Sequence, residues 1–283
     1  RLVRADPANA TVLRPYLGGE ELNSNPGGAF ERYMIDFTAK SLDEARKYPL
    51  LMRIIEEKVR PSREKDNRGT YKTYWWRPGE SGGALYEALN GLSHCLVISR
   101  VTRHLVFSLQ ATTQFFSEAI CAFALSGSTQ FATLQSRIHE FWARLLSSSM
   151  KADLRYSGSD CFETFPFPCP DPRTIIPPLE TVGERLYETR AKFMVDTSQG
   201  LTKTYNAIKD PACEDPRVLE LRRLHEEMDR AVLDAYGWHD IPVPPYCPRS
   251  DEERAAVQAF EDEVIDRLYA LNAERAREEE RLG

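Results

Sequence analysis

In successive segments beyond Pro178 the apolar residues recur every three or four positions, which is the spacing of one buried helix face. That periodicity confines this stretch to helices. Residues 178–194 form a first one. Asp215 and Pro216 supply an N-cap and a first-turn proline for a second, whose stripe is Val218, Leu221, Leu224, Met228, Ala231 and Val232. Ser250 with Glu253 opens a third through Val257, Phe260, Val264, Leu268 and Leu271, and residues 274–281 are charged on every side, as in a solvated helix end.

The earlier part of the chain mixes periods. Ser41 and Glu44 make a capping-box signature for a helix over about 42–60, interrupted at Pro49 and ended by Pro61. Basic residues then crowd in, Arg60, Arg63, Lys65, Arg68, Lys72 and Arg77, interleaved with Tyr71, Tyr74, Trp75 and Trp76. Short β-rich runs at 95–99, 105–109 and 119–125 predict a small sheet. Helical spacing returns over 129–146 with Phe131, Leu134, Ile138, Phe141, Trp142 and Leu145 on one side; 151–157 reads as extended, and 165–178 as a proline-rich strap. The expected fold is α+β: a small mixed or antiparallel sheet with flanking helices over 1–172, followed by an all-α helical domain over 173–283.

The net charge of −6 hides a division. Residues 1–170 carry 21 Lys and Arg against 18 Asp and Glu, whereas 171–283 carry 16 against 25. A basic face on the first part is therefore compatible with an acidic whole. No stretch reaches the roughly 20 uncharged apolar residues needed to span a bilayer, and residues 1–10 lack the apolar run of a signal peptide, so a cytoplasmic protein with no membrane partner is expected. The six cysteines are scattered through apolar stretches and read as reduced and structural. Neither they nor the five histidines show a metal-ligand spacing.

Catalytic signatures are missing. There is no glycine-rich cofactor turn after a strand; Asn25, Pro26, Gly27 and Gly28 match the Asn-Pro-Pro-aromatic loop of amino-directed methyltransferases by two letters only. Glu56, Glu57 and Lys58 spell a nuclease triplet, but on a helix, where residues two apart face different sides. Trp75, Trp76 and Trp142 read as core anchors, the first two in an alternating, strand-like run.

Several stretches together resemble the target recognition domain of MmeI-like Type IIL restriction-modification enzymes, which are large DNA adenine methyltransferases. They are residues 13–24 (LRPYLGGEELNS), 47–60 (KYPLLMRIIEEKVR), Trp75 with Trp76, 134–144 (LQSRIHEFWAR) and 154–168 (LRYSGSDCFETFPFP). Residues 201–206 (LTKTYN), 219–238 (LELRRLHEEMDRAVLDAYGW) and 271–275 (LNAER) resemble the same enzymes' C-terminal helical region. The resemblance implies a DNA-reading fragment with no cofactor of its own. S-adenosylmethionine and transfer to adenine N6 would belong to a methyltransferase domain of the same polypeptide that lies before this chain, and the partner would be double-stranded DNA.

Base edges in the major groove are read by Arg or Lys on guanine and by Asp or Glu on cytosine. Residues two apart on a strand point the same way, so Lys151 and Asp153 can straddle one G·C pair. The resemblance places a specificity-determining pair there, just ahead of Arg155, Tyr156 and Ser157. Arg100, Thr102, Arg103 and Ser117 are further candidates for base reading, with Thr113 and Gln114 near them. Arg60, Arg63, Lys65, Arg68, Lys72 and Arg77 suit phosphate contact, which sets register without reading sequence. Two other readings stay open: a protein-interaction module, favoured by the acidic helices, and a stand-alone metal nuclease.

Overall fold

The computed structural model describes residues 2–79, 82–147, 149–150 and 153–282. It begins with α1 (Leu2–Ala5), a 3-10 turn, β1 (Leu13–Leu17), α2 (Gly19–Ser24), a second 3-10 turn and β2 (Arg32–Ile35). Five short helices follow: α3 (Leu42–Ala45), α4 (Pro49–Lys58), α5 (Arg60–Glu64), α6 (Gly69–Thr73) and α7 (Gly83–Ala88). Then come β3 (His94–Ser99), β4 (Val101–Thr102), β5 (Ser108–Ala111), β6 (Phe115–Phe116) and β7 (Ile120–Phe123). Helices α8 (Ser128–Gln135) and α9 (Arg137–Leu146) lead to β8 (Ser149–Met150) and β9 (Asp153–Arg155). The rest is helical: α10 (Pro177–Thr197), α11 (Leu201–Ile208), α12 (Pro216–Ala235) and α13 (Asp251–Leu282).

The class is α+β, as expected. The strands divide into three sheets of three: β2-β1-β6, in which β1 and β6 run parallel, and the antiparallel β5-β3-β7 and β4-β9-β8.

Local chemistry explains where elements start and stop. The Ser41 hydroxyl accepts the Glu44 N–H at 3.3 Å and the Glu44 carboxylate accepts the Ser41 N–H at 2.8 Å, a closed capping box. Pro49 and Pro61 each sit in the first turn of a helix, where a missing N–H leaves nothing unpaired. Pro61 thus opens α5 rather than ending its predecessor. The single helix expected over 129–146 is two, because Ser136 is extended (ψ 157°) and its hydroxyl caps α9 through the His139 N–H. The run at 105–109 is in a ladder only from Ser108. Side chains take the backbone before it: Phe107 N–H donates to Gln135 Oε1 (2.9 Å), Gln135 Nε2 to the Leu105 carbonyl (3.0 Å) and Arg190 Nη2 to the Phe107 carbonyl (2.8 Å). Trp75 and Trp76 lie in turns after α6, not in a strand, although Trp76 is buried and its Nε1 donates to the Lys40 carbonyl.

One hydrophobic core runs from Leu17 to Leu268, so the C-terminal helices share it with the sheets. A separate small core of Val12, Phe37, Ala45, Leu51, Met52, Ile55 and Trp76 organises α3 and α4 into a lobe. Close approach seals the helices to the rest. A methyl at Gly183 of α10 would collide with the Ser128 carbonyl, and one at Gly200 with the backbone of Asn23 and Ser24. Between α9 and α13, Phe141 meets Phe260 and Trp142 meets Tyr269 edge-on or tilted, with centroids 5.6 and 5.3 Å apart. Arg137, at the start of α9, is buried against Asp229 of α12 and also donates to the carbonyls of Pro244 and Pro245.

Candidate nucleic-acid interface

The sheet β4-β9-β8 gathers most of the residues expected to read bases. Val101 lies opposite Arg155 and Thr102 opposite Leu154. Leu154 is buried while Asp153 and Arg155 are exposed, the alternation of a strand with one face on the core. The next residue, Tyr156, is buried as well; its N–H donates to the Arg100 carbonyl at 2.8 Å and its hydroxyl lies 3.0 Å from His139 Nε2. Two inward anchors therefore hold the strand while its outer face carries an acid and a guanidinium. β9 begins at Asp153, later than the extended stretch expected from 151, and Lys151 lies outside the described residues.

Arg100 and Arg103 flank β4 and are exposed. The Arg100 N–H donates to the Ala119 carbonyl, tying β4 to the start of β7; the Arg103 carbonyl accepts from Arg144 Nη2 at 3.2 Å. Arg144 is itself held by Glu140, which also takes Lys209, the residue that caps the end of α11. Burial alone would push the Glu140 carboxyl up, but the two cations outweigh it and hold it at about 2. This carboxylate links Lys209, and through Arg144 the Arg103 carbonyl beside β4, to α9. The Thr102 hydroxyl donates to the His104 carbonyl, and the Ser117 hydroxyl, buried, accepts the Ala119 N–H.

Beside this sheet an open cleft of about 790 Å³ separates the small-core lobe from the sheets. Arg63, Arg68, Arg77 and Arg100 line it together with Ser117, and among the described residues Glu118 is the one carboxylate in the lining. Four of the arginines and serines expected from different parts of the sequence thus meet a fifth at one concavity. Tyr71 lies between two guanidiniums, with Arg63 at 4.0 Å and Arg68 at 3.7 Å from its ring centroid. Arg68 also forks onto Asp66, whose carboxyl is drawn down to about 2 by those hydrogen bonds. Arg77 donates to the Lys40 carbonyl and lies over Tyr74. Arg60, Lys65 and Lys72 are exposed but do not line the cleft; Arg60 pairs with Glu64 and lies over Trp75.

The sequence reading missed the position of Tyr71, whose ring lies between two of the arginines. Arg137, Arg190 and Arg222 are buried, each donating to backbone carbonyls or a carboxylate far away in sequence.

A strand-to-helix turn with paired glycines does exist, Gly18 and Gly19 between β1 and α2, but the Glu21 carboxylate fills it, accepting the Gly18 N–H and the Arg32 guanidinium. It does not fit S-adenosylmethionine. Among the described residues no three potential ligands group for a metal ion, and Glu56, Glu57 and Lys58 are exposed on α4. Burial pushes the Cys95 thiol up to about 12, and the cysteines are unpaired. No described helix is long and apolar enough to cross a membrane.

Comparison with known proteins gives three findings. Residues 1–169 match the family described as MmeI, target recognition domain. The chain is 29% identical over 142 residues to DNA methyltransferase A of Bacillus subtilis (strain 168), which covers 50% of this chain and 13% of that protein. In fold it is similar to the Type IIL restriction-modification enzyme MmeI solved in complex with DNA, with a TM-score of 0.59 and 19% identity, covering 95% of this chain and 32% of that one. The chain spans well under half the length of either.

Proposed function

The chain belongs to the MmeI family through its target recognition domain, and from that premise we propose that it reads base pairs in duplex DNA for a longer DNA adenine methyltransferase of the restriction-modification kind. S-adenosylmethionine and methyl transfer would reside in a catalytic domain of the same polypeptide, outside this chain. Residues 1–172 would do the reading, and 173–283 would brace it.

The observation that carries this reading is the convergence of Arg63, Arg68, Arg77 and Arg100 on one open cleft, in a chain whose net charge is negative. Arginine suits both roles required there, a fork for guanine and a charge for phosphate. In the proposed complex Arg60, Arg63, Lys65, Arg68, Lys72 and Arg77 follow the phosphates. Arg100, Arg103, Asp153 and Arg155 face base edges, with Lys151 beside Asp153, and Thr102 and Ser117 supply hydroxyls nearby.

Salt dependence tests the phosphate half of the proposal. Each phosphate neutralised contributes roughly 0.9 to the slope of log affinity against log salt. Arg63→Gln with Arg77→Gln should flatten that slope by about 1.8 in fluorescence-anisotropy titrations of a duplex. An unchanged slope would remove both residues from the DNA backbone.

A further inference from the structure

We infer that Val101 reads a pyrimidine 5-methyl group in the major groove, which in unmodified duplex is the methyl of thymine; the inference rests on the base-reading role proposed above for the same face. Val101 is 50% exposed. A lone exposed valine is ordinary on a protein surface, and what distinguishes this one is its setting. It stands directly opposite Arg155 across the β4–β9 ladder, and partners opposite each other in a ladder project to the same side. Their neighbours Thr102 and Leu154 turn the other way, with Leu154 sealed in the core. Arg100 precedes Val101 in the chain, and Asp153 lies two residues from Arg155 on the same outer face.

That face therefore presents three chemistries side by side: guanidiniums, a carboxylate and an isopropyl group. The major-groove edges of the bases present three complements, the O6 and N7 acceptors of guanine, the N4 donor of cytosine and the 5-methyl of thymine. The first two match Arg155 and Asp153. Only the third is apolar, and no donor or acceptor on a base edge gains from contact with valine. A two-stranded ribbon can enter a groove about 12 Å wide, so the outer face of the β4–β9 pair can reach those edges.

The test begins by recovering the preferred motif of the full-length protein from a pool of randomised duplexes. Each thymine of that motif is then replaced singly by deoxyuridine, which removes only the methyl, and each cytosine by 5-methylcytosine, which adds it. Burying one methyl corresponds to roughly a fourfold change in affinity. The expected result is a loss of about that size at one thymine for the wild type and for Val101→Ile, and none for Val101→Ser. A gain at one cytosine on methylation, with no thymine sensitive, would support the same methyl contact with a modified cytosine as its source. The inference is overturned if neither substitution matters at any position, or if Val101→Ser keeps the full sensitivity. Failure to recover any motif would instead overturn base reading itself, and the role of Val101 with it.

Discussion

Asp229→Ala is expected to lower the unfolding free energy of the chain by about 3–5 kcal/mol, because it strands a buried guanidinium. Asp229 is fully buried and accepts both the backbone N–H (2.9 Å) and the Nε–H (2.6 Å) of Arg137, which is 6% exposed. Burial drives the Asp229 carboxyl upward and the Arg137 guanidinium pulls it back, with burial prevailing. The pair joins α9, which leads into β8 and β9, to α12 among the C-terminal helices. Replacing both partners with apolar residues, Arg137→Met with Asp229→Leu, should recover much of the loss, since neither desolvated charge remains. Urea unfolding of the three proteins measures this. A cost below about 1 kcal/mol for the single variant would mean the pair does not hold the two parts together.

Acid should destabilise the chain well before its carboxylates titrate. His139 is wholly buried among Phe107, Tyr156 and Phe165, and burial lowers its imidazole to about 3. His225, buried against Tyr205 and Tyr246, is also lowered, first by burial and then by Arg190, Lys209 and Arg137. A base whose folded value is depressed stabilises the fold fully above its unfolded value near 6.5, and that contribution is lost as pH falls from there toward the folded value. For His139 alone the loss between pH 7.5 and pH 5 comes to about 2 kcal/mol. His225 adds to it with the same sign. Glu140, held at about 2, contributes only lower, between about pH 4.5 and 2. Asp229, being raised, works in the opposite sense. Unfolding free energies at pH 7.5 and 5 should differ by at least 2 kcal/mol, roughly; equal values would show that the buried imidazoles do not carry this linkage.

Helix starts were legible because their signals are local. Ser41 with Glu44, Asp215 before Pro216, and Ser250 with Glu253 each cap a helix within four residues, and each does so in the structure. The apolar stripe of α13 likewise buries Phe260, Val264 and Leu268. What local pattern could not give was any feature decided by distant side chains. Leu105 to Phe107 have the composition of a strand, yet Gln135 and Arg190 occupy the hydrogen-bonding groups a ladder would need. The break at Ser136 depends on one hydroxyl choosing a cap over a helix interior. Helix α11 was marked only by the resemblance of residues 201–206, for its eight residues carry too short a stripe to be read from periodicity.

The candidate interface was legible in the same uneven way. Its charged members stood out in the sequence as a basic, aromatic run and as an Arg-Tyr-Ser stretch. Their convergence could not be read, because Arg63 and Arg100 reach one cleft only through the packing of a separate small lobe against the sheets. The resemblance to target recognition domains, which family matching bears out over residues 1–169, supplied what spacing alone did not.

The exposed face of β9 as a reader of bases is the claim on which the functional account stands. The most direct measurement is the motif recovered from randomised duplexes by the full-length protein and by its Lys151→Glu, Asp153→Arg double variant. One G·C pair in the wild-type motif should become C·G in the variant, with every other position kept. The same motif from both proteins would contradict it.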